Sequence, residues 1–283
     1  MYVAICAKTQ NMVYAEDSNI DKSQEYVCPL CRQPVVYRHG EINAPHFAHR
    51  SGDDCDTFTS DMSEWHRQWQ NKFPHKTREV VMTLETSEEE YNYLYRCSYN
   101  LRHHLNTNQY DFQHIDAFER YVMATQNNEL TPKLIKHRAD IRLYKNVIEF
   151  QHSPIPTNEF DERNWFYNAC GYRVIWVFDM RDKVRDGQIS YAKPTRNGEQ
   201  YNWSHPMRIF EGFIPQGYKD NETNEYCHDG IELYFQLNNT TVSHVAWAIL
   251  DNQNANYKRF ICDDARTYTV DDFVRRAIRN ALN

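Results

Sequence analysis

The chain has 283 residues, of which 41% are hydrophobic and 25% charged, and a formal net charge of −7. That composition excludes a disordered chain, and the acidic balance excludes a protein that coats nucleic acid through bulk positive charge. No run of about eighteen apolar residues occurs, so no membrane-spanning helix is expected. The opening stretch Met1-Tyr2-Val3-Ala4-Ile5-Cys6 has no basic flank ahead of an apolar core, so the expectation is a cytoplasmic chain without a signal peptide. In that compartment the eight cysteines are expected as reduced thiols or metal ligands.

Residues 1–58 read as short strands and turns around a cysteine/histidine cluster. Cys28-Pro29-Leu30-Cys31 is a C-x-x-C knuckle, followed by His46-Phe47-Ala48-His49 and then by Cys55. Structural zinc takes four tetrahedral sulfur or nitrogen ligands, and two pairs at this distance are a strong signal for it. The expected set is Cys28, Cys31, His46 and His49 if the histidine segment turns helically. In an extended segment the two histidines would point to opposite faces, and Cys55 would replace His46. A module this small would need the metal to fold.

Ser60 to Phe73 reads as a helix, with Trp65 and Trp69 on one face and Pro74 as its stop. Glu79 to Thr83 reads as a strand. Residues 85–133, with possible helices from Glu88 and over Asp116–Ala124, read as an insertion. His137–Tyr144 and Val147–Gln151 read as a strand pair. A helix from Thr157 to Cys170 has Pro154 and Pro156 before it and Gly171 after it. The continuous apolar run Arg173–Phe178 suits a strand buried on both faces after a parallel crossover. Beyond Asp179, strands are expected at Ile231–Leu237 and His244–Leu250, and a closing helix over Asp271–Leu282. This last hundred residues could extend the preceding sheet or form a separate domain. Cys6, Cys97, Cys170, Cys227 and Cys262 have no ligand spacing and read as buried small hydrophobes.

The chemistry centres on Asp140 and Glu149. A turn at Lys145-Asn146 would pair Tyr144 with Val147, Arg142 with Glu149 and Asp140 with Gln151. Strand alternation then puts Asp140 and Glu149 on one face as diagonal neighbours, roughly 7 Å apart. Two such carboxylates could grip one hard cation, Mg²⁺ or Mn²⁺, whose bound water would attack a phosphodiester.

The order helix, strand, strand with Asp140, strand with Glu149-x-Gln151, helix, buried strand resembles the αβββαβ core of the PD-(D/E)XK nucleases. The runs His137-Arg138-Ala139-Asp140-Ile141 and Val147-Ile148-Glu149-Phe150-Gln151-His152-Ser153-Pro154-Ile155 resemble the competence protein CoiA family. So do Phe160-Asp161-Glu162-Arg163-Asn164, Gly171 to Asp179 and Ser63-Glu64-Trp65-His66. The resemblance covers about residues 20–180. It implies an α+β or α/β, restriction-endonuclease-like core at 59–180, interrupted at about 85–133. A zinc module at 1–58 precedes it, and a mixed, partly β extension at 181–283 follows.

The resemblance also implies Mg²⁺-dependent hydrolysis of DNA in uptake, recombination or defence, with DNA and recombination proteins as partners. Asp140 and Glu149 are then metal ligands, Gln151 a water or phosphate organiser, and Glu64 an acid supplied by the first helix. The third position of the motif usually carries Lys, and Gln151 brings no charge to it. Arg163 reads either as a phosphate contact or as a partner of Glu159 or Asp161, and His66 as a helix-surface histidine or a site neighbour. The alternative is a non-catalytic DNA-binding accessory protein that keeps the fold.

Overall fold

A computed structural model describes residues 1–40, 45–50, 55, 63–93, 112–206, 218–219, 226–227, 231–250 and 257–282. The expected helix start at Ser60 and the residue Cys97 lie outside this set, and Cys227 is described by its backbone alone. The first five strands are β1 (Val3–Cys6), β2 (Met12–Tyr14), β3 (Tyr26–Val27), β4 (Pro34–Arg38) and β5 (His46–His49). They form an antiparallel sheet in the order β2-β1-β3-β4-β5.

The second sheet has nine strands. Helix α1 (Glu64–Gln70) and a 3₁₀ turn (His75–Thr77) lead into β6 (Arg78–Ser87). A helical stretch at residues 88–93 and α2 (Phe112–Asn127) lie before β7 (Pro132–Leu143). Then come β8 (Asn146–Gln151), α3 (Thr157–Ala169), β9 (Arg173–Asp179), α4 (Arg181–Arg185), β10 (Ile189–Pro194) and β11 (Gly198–Ser204). The short pair β12 (Tyr218–Lys219) and β13 (Tyr226–Cys227) stands apart from the large sheet. The chain ends with β14 (Ile231–Gln236), β15 (Thr241–Leu250), β16 (Tyr257–Thr269) and α5 (Val270–Ile278). The sheet order is β10-β11-β16-β15-β14-β9-β8-β7-β6. Strands β10, β11, β14, β15 and β16, all beyond residue 180, therefore hydrogen-bond into the same sheet as Asp140 and Glu149.

Local signals place the helices. Ser63 caps α1 by accepting the His66 N–H, and Thr269 caps α5 by accepting the Asp272 N–H. Helix α3 ends at Gly171, whose φ of +81° costs a glycine nothing and lets the chain reverse into β9. Strand β9 runs parallel to β8 on one side and to β14 on the other. Its alternate residues feed two cores. Val174, Trp176 and Phe178 pack with Phe160, Trp165, Phe166 and Tyr167 of α3. Ile175 and Val177 pack with Trp65 and Trp69 of α1, with Phe73, and with Phe273 of α5. Trp65 and Trp69 share one helix face, and both indole N–H groups donate to Oε1 of Gln236, at 2.7 and 3.0 Å.

The β7–β8 register differs from the expected one. Tyr144 and Lys145 form the turn, with Tyr144 at φ +51°, so Arg142 pairs with Val147 and Ile141 with Ile148. The slip is two positions in the pairing, so the faces survive it, but Asp140 comes opposite Glu149 instead of diagonal to it.

A second departure is larger. Ala139 packs in the α3-side core and Ile141 in the α1-side core, although residues two apart on a strand share a face. The chain therefore turns over at Asp140. The β7–β8 pairing stops at Ile141–Ile148, and the β6–β7 pairs Arg78–Ile141 and Val80–Ala139 bracket Asp140 without including it.

Among the described residues no helix is long and apolar enough to cross a membrane. The packing makes one direct prediction. Phe160 is fully buried, with its ring 4.8 Å from that of Trp176. Phe160→Ala is expected to cost about 3–5 kcal/mol, whereas Met123→Ala on exposed α2 costs about 0.5 kcal/mol or less, both read from denaturant midpoints.

Candidate functional site

The turnover at Asp140 creates the site. With both ladders open, the two acids exchange contacts with each other's strand. The Asp140 N–H donates to Glu149 Oε1 at 3.2 Å, and the Phe150 N–H donates to Asp140 Oδ2 at 2.9 Å. Each carboxylate thus replaces a backbone carbonyl that the ladder would have supplied.

Two helices then approach from opposite faces of the sheet, each with an i,i+4 pair. From α1, His66 Nε2 lies 2.9 Å from Asp140 Oδ1, and Gln70 Nε2 donates to the same oxygen at 3.0 Å. From α3, an Arg163 guanidinium N–H donates to Glu149 Oε2 at 2.8 Å, and the Tyr167 hydroxyl donates to Oε1 at 3.0 Å. Arg163 also pairs with Glu159 at 2.6 Å. The sequence left Arg163 between two roles; it contacts the acid directly. Tyr167 and Gln70 were not anticipated at all. Their signal was the i,i+4 spacing to Arg163 and His66.

Electrostatics separates the two acids. Burial, with the Asp140 charge beside it, pushes Glu149 up to about 7. For Asp140, burial opposes ionisation, but the His66 imidazole, the Phe150 N–H and Arg163 together hold the carboxyl below its ordinary value. Burial likewise works against a charged His66, and Asp140, with Glu149 and Glu79 beyond it, raises the imidazole. The Glu149 side chain is 1% exposed and that of Asp140 14%, so Asp140 is the acid that solvent or a ligand reaches first.

The other expected residues fall as follows. Gln151 is buried, and its amide donates to the Ser153 carbonyl at 2.5 Å, within its own turn. Glu64 does not join the acids. It is bound to Arg67 and Gln68 of its own helix, with its side chain 63% exposed. The reason is angular: at about 100° per residue, Glu64 points nearly opposite to His66.

A divalent cation can be tested against this donor set. Asp140 and Glu149 offer hard oxygens. Beside them Gln70, itself fully buried, leaves its Oε1 without a hydrogen-bond partner among the described residues. An orphaned buried carbonyl oxygen next to a carboxylate is the kind of ligand Mg²⁺ accepts. Two close, buried acids of which one is pushed up are likewise short of positive charge.

The second site is in the N-terminal sheet. Cys28, Cys31, His49 and Cys55 bring their ligand atoms within 4.8 Å of one another. The Cys28–Cys55 sulfurs are 3.4 Å apart, and Cys31 Sγ is 3.3 Å from His49 Nε2. The edges of a zinc tetrahedron are only slightly longer, roughly 3.5–3.8 Å. The Leu30 N–H turns toward Cys28 Sγ at 3.3 Å, and Arg32 takes φ +64° to close the knuckle. Burial pushes the Cys28 and Cys55 thiols up, so these sulfurs ionise readily only with a cation in reach. A Cys₃His cluster of this kind can hold a structural metal such as zinc. His46 is not part of it. Residues 46–49 are a strand, so His46 and His49 face opposite ways, and Cys55 takes the fourth place.

The chain thus carries a Cys₃His cluster ahead of a sheet with two close, strand-borne acids. In comparison with known families, residues 10–58 match the N-terminal domain of competence protein CoiA, and residues 124–197 match its nuclease-like domain. In these two segments the chain is similar to the competence protein CoiA family. No curated protein and no solved structure matches the chain.

Two outcomes are expected. Cys55→Ser lowers the bound zinc measured by metal analysis, while His46→Ala leaves it unchanged. The second concerns pH. Glu149 is raised from 4.5 to about 7, so the folded state holds a proton that the unfolded chain releases. Its contribution to stability is present below pH 4.5 and is lost as pH rises through about 7. The raised His66 acts in the same direction. Thermal midpoints should therefore fall across neutral pH with a chelator present, and Mg²⁺ should flatten that fall by stabilising the ionised acids.

Proposed function

We propose that this chain is a metal-dependent deoxyribonuclease with a restriction-endonuclease-like core, acting on DNA during uptake, recombination or defence. The observation that carries the reading is the Asp140–Glu149 pair, opposed across an opened ladder beside the unpartnered Gln70 oxygen. Asp140 and Glu149 would hold Mg²⁺ or Mn²⁺, with Gln70 as a neutral oxygen donor. Bound there, the cation would polarise a phosphoryl oxygen and lower the pKa of a water.

The remaining work falls to the chain. Arg163, held between Glu149 and Glu159, is a cation that can turn from its carboxylates to a phosphate. His66, next to the more accessible acid, can give or take a proton near neutral pH. Gln151 can orient a water by hydrogen bonding but adds no charge. For a chain of net charge −7, contact with DNA needs a local basic strip. Lys136 and Arg138 alternate along one face of β7 toward Asp140 and suit that task. The reading places the protein in the cytoplasm, with recombination proteins as partners.

A second reading is favoured by a specific observation: each carboxylate oxygen of the pair already carries a protein donor. Such a satisfied pair could serve a non-catalytic DNA-binding accessory protein. Incubation with single-stranded and duplex DNA in Mg²⁺, Mn²⁺ or chelator separates the two. The first reading expects cleavage only with metal, and Glu149→Gln lowers it roughly 10³-fold with the fold intact. DNA binding that survives chelation, with no cut product in any metal, would favour the accessory role.

A further inference from the structure

We infer that Glu79 is a positioning residue for the acid pair, and that the N-terminal module bears on the nuclease-like site through it. The inference rests on reading Asp140 and Glu149 as the working acids, but its test uses no cleavage, so the two can fail separately.

Glu79 is an acid only 1% exposed in the middle of β6. Its Oε2 accepts the Tyr2 N–H at 2.5 Å and the Val3 N–H at 3.3 Å, so the start of the N-terminal module grips it. Its Oε1 is buried without a hydrogen-bond partner among the described residues. Its φ is +47°, a left-handed conformation that a side chain of this size keeps only where its surroundings enforce it.

That kink falls at one particular place. The pairs Arg78–Ile141 and Val80–Ala139 flank it, so the residue of β6 across from Asp140 is Glu79. Two neighbouring strands leave regular geometry side by side: β6 at Glu79 and β7 at Asp140. The turnover of β7 is what releases the Asp140 N–H to Glu149 and brings the Asp140 carboxylate to Phe150.

The hold on Glu79 continues into the Cys₃His module. The Phe47 N–H donates to the Met1 carbonyl at 2.8 Å, which ties the start of the chain to β5, and β5 carries His49 of the cluster. Val81, two residues beyond Glu79, packs into the core of the same module.

The test uses the full chain with Glu79→Ala and Glu79→Gln. In Glu79→Ala, amide hydrogen exchange over residues 139–141 and 149–151 should accelerate by about tenfold or more, while β9 and the metal content of the Cys₃His cluster stay unchanged. Glu79→Gln keeps an oxygen for the Tyr2 and Val3 N–H groups and removes the charge. It should hold exchange within about twofold of the parent. Unchanged exchange in Glu79→Ala, or exchange in Glu79→Gln as fast as in Glu79→Ala, overturns the inference. If Glu79→Ala does not fold, Glu79→Asp, whose shorter side chain draws back from the Tyr2 and Val3 N–H groups, is read by the same exchange, and parent-like rates there overturn the inference.

Discussion

A β-ladder normally spends every N–H and C=O on its neighbours, leaving side chains to the two faces. At Asp140 this rule is suspended. The chain turns over, two ladders open, and the carboxylates of Asp140 and Glu149 take up backbone N–H groups that lost their carbonyls. The rest of the site follows from that opening. It lets one acid be reached from the α1 face and the other from the α3 face, although both strands belong to one sheet. His66 and Gln70 attend Asp140, while Arg163 and Tyr167 attend Glu149.

This arrangement also explains why the two acids differ. Both are largely removed from water, and both would be costly to ionise unaided. Asp140 keeps some exposure and has an imidazole beside it, so its ionised form prevails. Glu149 is sealed beneath α3, feels the Asp140 charge, and shares its guanidinium with Glu159. A pair with one acid ionised and one held near neutrality is a receptive place for added positive charge.

Much of this was legible in the residues. Alternation fixed which side chains of β8 share a face. The proline and glycine punctuation located α3, and the apolar run announced β9. The C-x-x-C knuckle located the Cys₃His cluster. The failures have physical causes. A non-glycine residue, Tyr144, adopts a left-handed conformation in the hairpin turn, and no turn chemistry in the sequence marks it, so the residues alone point to a register two positions away. The turnover at Asp140 is enforced across strands and leaves no trace in local pattern. Glu64 follows from the resemblance alone, and α1 aims it about 200° away from His66. His46 was excluded by the strand that carries it, a conformation the sequence left open.

The two tryptophans of α1 carry a further consequence. Their indole N–H groups share one oxygen, Oε1 of Gln236, which lies at the end of β14 and well beyond the segment matched to the nuclease-like domain. A fragment trimmed at residue 197 would strip that acceptor away and uncover the edge of β9 that β14 pairs with. Two donors would be left in an apolar setting, each at a cost of about 1–3 kcal/mol. The boundary of sequence similarity is therefore not a boundary of independent folding: the last strands of the chain complete the floor on which the first helix of the large sheet stands.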